Sequence, residues 1–272
     1  MIEINTIYNE DCLNTMARMP DDYISLILTS PPYNNLRAYQ GFSFDFESIA
    51  KELYRVLKPN SILVWIVGDT TKNFCESLTS HKQAIYFVEQ CNFNLLDTMI
   101  YHKSAVGACG SNYTYWQAFE YMFIFSKGKP KTINKIKDRK NITAGYVHKP
   151  NPKMDTLKTR INRNGIVIQD YGYRDNVWTY NVGFASGDDK TPHPAPFPEQ
   201  LAYDHIYTWS NPYDLVYDCF MGSATTAKMC LLLHRNYIGS EISKDYCAIA
   251  ERRLAPHKYN DYFILSNIIG AI

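Results

Sequence analysis

Ile24-Ser25-Leu26-Ile27-Leu28-Thr29-Ser30-Pro31-Pro32-Tyr33 is the stretch on which the reading of this chain turns. The apolar run Ile24 to Leu28 is too short for a typical helix and predicts a buried strand. Two consecutive prolines stop it, fix two φ angles at about −65° and remove two N–H donors. The strand therefore ends in a rigid turn that offers carbonyl oxygens, with a serine hydroxyl before it and an aromatic ring after it. Such a shape suits a planar group that carries N–H donors, for example a base with an exocyclic amine. An isolated Ser-Pro-Pro-Tyr also serves as a plain strand stop, so the rest of the chain decides.

Strand and helix signals alternate on both sides of that turn. Strands are predicted over Ile2 to Tyr8, Tyr23 to Leu28, Ser61 to Val67, Leu95 to Tyr101, Tyr121 to Phe125, Leu215 to Tyr217 and Tyr237 to Gly239. Helices are predicted over Leu13 to Met19, Phe46 to Leu57, His81 to Gln90, Leu201 to Trp209, Ala224 to His234 and Asp245 to Leu254. This order predicts an α/β fold with a mostly parallel sheet covered by helices. The stretch from Gly128 to Lys190 breaks the pattern: it is rich in Lys, Asn, Gly and Tyr and long for a connection inside one domain. The 272 residues suffice for one large α/β domain, or one domain with an insertion.

Formal charge is nearly balanced at +1, which alone points to no nucleic-acid partner. The balance hides an asymmetry, because twelve lysines and arginines between Lys127 and Arg163 face only Asp138 and Asp155. A concentrated basic stretch in a neutral chain is an electrostatic footprint for a polyanion, or else a solvated loop. The seven cysteines form no C-x-x-C pair, which argues against a disulfide framework and a metal site. The start lacks a basic segment followed by an apolar one, and no apolar run reaches membrane-spanning length. A soluble, cytoplasmic protein is expected.

A second constellation begins at Leu215-Val216-Tyr217-Asp218-Cys219-Phe220-Met221-Gly222-Ser223-Ala224-Thr225-Thr226, a strand, a small-residue turn and a helix start. Gly222 allows close approach of a ligand to the backbone, and the helix start presents N–H groups to an anion. Glu241 follows just past the next predicted strand, where doubly wound folds place an acid on the ribose of an adenosine cofactor. Neither G-x-x-x-x-G-K-[ST] nor G-x-G-x-x-G is present, which disfavours nucleoside triphosphates and dinucleotides. An adenosine cofactor without a pyrophosphate fits better, and S-adenosylmethionine is the common one. The plain alternative is an ordinary strand-to-helix turn with an acid beside it.

With these residues in view, the chain resembles the amino-group DNA methyltransferases, which modify N4 of cytosine or N6 of adenine. Ser30-Pro31-Pro32-Tyr33 resembles their catalytic motif, Asp218 to Thr226 their cofactor motif, and His193 to Gln200 the segment preceding it. Asn9-Glu10-Asp11-Cys12 and Leu53 to Pro59 match further family stretches. Catalytic motif first, recognition region in the middle and cofactor motif last is the order of the β class. The resemblance implies a Rossmann-like methyltransferase fold, circularly permuted, with helices on both faces of the sheet. Residues 1–126 and 191–272 would form the catalytic and cofactor domain, and 127–190 an inserted basic target-recognition region.

The resemblance also assigns roles. Ser30, Pro31, Pro32 and Tyr33 would be catalytic. Asp11 and Cys12 would lie near the adenine, Glu241 on the ribose, and Asp218, Phe220 and Gly222 near the methionine end, with Ser223, Ala224 and Thr225 as further cofactor contacts. Pro196, Phe197 and Glu199 would close the pocket. Lys153, Lys158, Arg160, Arg163 and Arg174 are the candidate contacts to double-stranded DNA. The family usually has proline at Cys219 and glycine at Ala224, so a slightly reshaped cofactor contact is expected. Serine at the first motif position favours cytosine N4, with adenine N6 as the alternative. A partner restriction endonuclease and a monomeric or homodimeric enzyme are further expectations. Two other classes compete: a methyltransferase acting on protein or RNA, which usually carries its motifs in the opposite order, and a non-catalytic DNA-binding relative. Methylation at cytosine C5 is disfavoured, since no cysteine follows a proline.

Overall fold

The computed structural model describes residues 2–32, 45–104, 113–148, 165–181 and 198–269, with side chains described up to residue 257. In chain order the elements are β1 (Thr6–Tyr8), α1 (Cys12–Ala17), β2 (Ile24–Thr29), α2 (Phe46–Val56), β3 (Leu57–Val67), β4 (Thr71–Lys72), β5 (Cys75–Glu76), α3 (Thr79–Glu89), β6 (Asn94–Lys103), β7 (Phe119–Ser126), β8 (Lys137–Lys140), β9 (Tyr171–Tyr173), β10 (Val177–Tyr180), α4 (Glu199–Trp209), β11 (Leu215–Asp218), α5 (Thr225–Leu232), β12 (Asn236–Ser240) and α6 (Lys244–Ile269). They fall into two compact units. The larger joins residues 1–134 to 176–272, and the smaller spans Lys135–Asp175.

In the larger unit eight strands form one sheet in the order β1-β12-β11-β2-β3-β7-β6-β10. Every neighbouring pair is parallel except those made by β7, which runs against both β3 and β6. The alternation of side chains along each strand feeds two cores. Leu26, Leu28, Ile62, Val64 and Ile66 pack on one face with Leu201 and Ile206 of α4, Ala227 of α5 and Leu254 of α6. Ile27, Leu63, Trp65 and Val67 pack on the other with Met16 of α1, Leu53 of α2 and Phe87 of α3. All six residues of β2 are buried, as a central strand covered on both faces requires.

Local chemistry sets the helix ends. The Asp11 carboxylate accepts the Leu13 N–H at 2.8 Å and starts α1, and Asp45 accepts the Ser48 N–H at 3.2 Å in α2. Each satisfies one of the orphan donors of a first helical turn. The buried stripe Ile49, Ala50, Leu53 and Val56 has helical spacing, and α2 ends as Leu57 adopts an extended conformation ahead of Lys58-Pro59.

The smaller unit is built on the antiparallel pair β8 and β9, with a further bridge between Val147 and Val167. It covers part of the 127–190 region expected to form the insertion. Val177 to Tyr180 pair in parallel with β6 and belong to the main sheet, with Trp178 buried. A four-residue strand inside a polar, glycine-containing stretch leaves too little periodicity to be recognised. The last predicted helix, Asp245 to Leu254, also continues to Ile269 through Pro256.

Candidate active site

The chain leaves β2 toward β3 with α2 on one face of the sheet, and leaves β11 toward β12 with α5 on the other. Two neighbouring parallel strands whose connections diverge in this way mark a switch point. The crevice beyond their carboxyl ends is where open α/β sheets bind ligands. Ser30-Pro31-Pro32 leaves the end of β2 there, and Asp218-Cys219-Phe220 leaves the end of β11. Pro31 is buried, while Ser30 and Pro32 are half-buried.

Asp218 joins the two turns. Its carboxylate accepts the Thr29 hydroxyl at 2.7 Å, the Thr226 hydroxyl at 2.6 Å and the Phe220 N–H at 3.1 Å. Burial pushes this carboxyl above its ordinary range, against the pull of those three donors. These three contacts use the Asp218 side chain to hold the two turns together.

The cofactor turn is tight. Gly222 and Ala224 both occupy the left-handed region, at φ 53° and 65°. Met221 N–H donates to Ser240 O at 2.9 Å, tying the turn to the end of β12. Glu241 stands next on that end, with Oε2 accepting the Gly222 N–H and Oε1 the Ser243 N–H, each at 2.8 Å. Burial raises the Glu241 carboxyl as well, opposed by the same two N–H groups. Each carboxylate oxygen has a second lone pair, so Glu241 retains acceptors suited to vicinal hydroxyls. Asn9, at the end of β1, donates its amide to Glu241 O at 2.9 Å and Ile242 O at 3.0 Å. Asp11 and Cys12 follow on the same edge, and burial with the nearby Asp11 charge pushes the Cys12 thiol up to about 12.

Some side chains face elsewhere than the sequence suggests. Glu199 Oε1 accepts Lys228 Nζ at 2.7 Å and Arg253 Nη2 at 2.8 Å, so this carboxylate is an ion-pair centre. The Ser223 and Thr225 hydroxyls both accept from Arg253 Nη1, at 3.0 and 3.2 Å, which directs them toward α6. Arg174, in the smaller unit, is held by both Asp138 carboxylate oxygens and lowers that carboxyl. Tyr33, Pro196, Phe197, Lys153, Lys158, Arg160 and Arg163 lie outside the described residues.

Three contributors went unassigned in the sequence. Thr29 looks like any strand-end threonine, and Arg253 like any helix arginine. Asp69, past the end of β3 on the same edge, accepts Ser77 Oγ at 2.7 Å, Ser80 N–H at 3.1 Å and the Ser80 hydroxyl. Burial alone would raise its carboxyl, but these donors outweigh it and hold it low. Among the described residues no cluster of three or more His, Cys, Asp or Glu is arranged to hold a metal ion.

The profile of one protein family, described as DNA methylase, matches residues 24–252. This chain belongs to that family. It is 50% identical over 240 residues to the orphan methyltransferase M.BamHII of Bacillus amyloliquefaciens, across 86% of this chain and 89% of that protein. Among solved structures it resembles the PvuII cytosine-N4-specific DNA methyltransferase, with TM-score 0.66, 20% identity, and 90% and 84% of the two chains covered. It also resembles a DNA modification methylase of Thermus thermophilus solved with S-adenosyl-L-methionine, with TM-score 0.59, 22% identity, and 92% and 95% covered. The β-class amino DNA methyltransferase with its mostly parallel, helix-covered sheet, expected from the motifs, is what the fold and family establish.

Proposed function

We propose that this DNA methyltransferase transfers the methyl group of S-adenosylmethionine to N4 of cytosine within a short DNA sequence. The observation that carries the reading is the Thr29–Asp218 hydrogen bond at the switch point, which sets the diproline turn beside the glycine turn. S-adenosylmethionine supplies an electrophilic methyl on a sulfonium. Glu241 would take the ribose hydroxyls, the turn from Phe220 to Thr225 the methionine end, and Asp11 with Cys12 the adenine.

The target amine is a weak nucleophile because its lone pair is delocalised into the ring. The Ser30 hydroxyl and the Pro31 carbonyl accept its two hydrogens, which draws the nitrogen toward tetrahedral geometry and frees the lone pair. Acceptors fixed beforehand by a diproline turn need little reorganisation during transfer. Holding amine and methyl in line supplies much of the remaining acceleration. The methylated amine then loses a proton to solvent. Tyr33 stacks on a base that has left the duplex, contributing about 1–3 kcal/mol.

The basic smaller unit, together with Lys153, Lys158, Arg160 and Arg163, contacts the DNA backbone. Lys137, Arg139 and Lys140 are exposed on β8, whereas Arg174 supports that hairpin through Asp138. Neutralising phosphates with such residues makes affinity steeply salt-dependent.

Serine at position 30 favours cytosine, and the test is chemical. Purified enzyme, labelled S-adenosylmethionine and nucleoside analysis of the product DNA should give N4-methylcytosine; N6-methyladenine would move the assignment to adenine. The variant S30A should lose methyl transfer while binding cofactor normally. A partner restriction endonuclease in the cytoplasm belongs to the same reading, and an endonuclease gene beside this one, cutting at the methylated site, tests it.

A further inference from the structure

We infer that Arg253 is a positioning residue for the cofactor, acting from α6 through the turn thirty residues before it. The inference rests on the reading that this turn receives the methionine end of S-adenosylmethionine. Arg253 is buried, and its Nη1 donates to the Ser223 carbonyl at 2.6 Å, as well as to the Ser223 and Thr225 hydroxyls. That carbonyl lies between Gly222 and Ala224, the two residues held in the left-handed region. Glycine adopts that region freely, but Ala224 is strained there and keeps its shape only where its surroundings over-determine it. Glu241 fixes one side of the turn through the Gly222 N–H, and Arg253 fixes the other through the Ser223 carbonyl.

The planar guanidinium suits this task because it donates in several directions at once from a fixed fork. Its other nitrogen, Nη2, is aimed by Glu199, which also pairs with Lys228 of α5. Glu199 thus acts on the cofactor through Arg253. Loss of Arg253 leaves the Ser223–Ala224 peptide held on one side alone, by the Ala224 N–H bond to Met221 O at 2.9 Å, and so loosens the turn that would receive the ligand. The base-gripping turn after β2 is held directly by Asp218, through Thr29, and Arg253 makes no direct bond to either residue.

The test is titration of S-adenosylmethionine, steady-state kinetics and thermal melting for wild type, R253M, R253K, E199Q and R253M/E199Q. Displacement of ligand-facing groups by a remote change is expected to cost about tenfold or more in cofactor KM for R253M. The DNA KM should stay within about twofold, and R253K should lie between R253M and wild type, since an ammonium replaces only part of the fork. E199Q should weaken cofactor binding less than R253M and add nothing in the double variant. A folded R253M with wild-type cofactor affinity would overturn the inference. So would an E199Q loss that persists in full in the R253M background, which would make Glu199 a direct ligand. If R253M does not fold, an unchanged cofactor KM in R253K overturns it equally. Failure of the wild type itself to bind S-adenosylmethionine would instead remove the underlying reading.

Discussion

Thr29 donates its hydroxyl to Asp218 across 2.7 Å, linking turns that lie 189 residues apart in the chain. Removing the hydroxyl with T29V leaves Asp218 two donors in a buried site and takes away the acceptor of the Cys219 thiol. A lost hydrogen bond to a buried charged group costs about 1–3 kcal/mol, and urea unfolding should show it. Turnover should fall further than cofactor affinity, because Ser30 follows Thr29 directly. T29V and T226V, which strip two donors from one carboxylate, should combine non-additively.

Asp218 and Asp69 make opposite predictions for pH. Burial raises the Asp218 carboxyl, so the folded protein binds that proton more tightly than the unfolded chain. Its contribution is complete below the ordinary carboxylate range and is lost as pH rises through the folded value. D218N should therefore cost more relative to wild type at about pH 4 than at about pH 7. The Asp69 carboxyl is held low by its serine donors, so its contribution is present above the unfolded value and is lost on acidification. D69N should cost less at the acid end. Urea midpoints across that range give both slopes, and parallel slopes would refute the assignment.

What could be read from the sequence was local. Two prolines after an apolar run, a glycine between strand and helix, and an acid beyond the next strand each announce themselves within a few residues. The order of these motifs also fixed the permuted fold. Partnerships across the sheet leave no such trace: nothing near Thr29 signals Asp218, and nothing near Ser223 signals Arg253. Glu199 illustrates the same limit, since its position was legible but the two cations around it come from α5 and α6. β10 left no sign of its own in the sequence, because it gains its burial beside β6, some eighty residues upstream.

Ala224 turns a departure in sequence into a measurable strain. Its φ of 65° places Cβ in a conformation that costs an L-residue about 1–2 kcal/mol. A224G removes that cost but adds flexibility to the unfolded chain, so a net gain of about 0.5–1 kcal/mol is expected. For a chain of this size that raises the melting temperature by a few degrees, roughly 1–4 °C. Cofactor affinity should hold or improve. A drop in melting temperature would show that the alanine methyl makes packing contacts worth more than the strain.

Gly239 lies beneath the cofactor turn, and its hydrogen cannot be replaced cheaply. A Cβ there would run into Met221 Cε at the tip of the side chain. It would also stand 2.9 Å from Met221 Cγ and 3.1 Å from Met221 Cβ, the Cγ approach closer than such atoms pack and the Cβ approach tighter than most. Cγ and Cβ sit near the backbone, so Met221 cannot simply swing its tip aside. The residue would have to move as a whole, straining its N–H bond to Ser240 O and shifting Gly222 beside Glu241. G239A is therefore expected to cost about 1–3 kcal/mol by overpacking. It should also raise the cofactor KM with little change in the DNA KM. Shortening the obstacle tests the cause: M221A alone should destabilise, yet in the G239A background it should recover part of the lost cofactor affinity. Simple addition of the two losses would place the defect somewhere other than this contact.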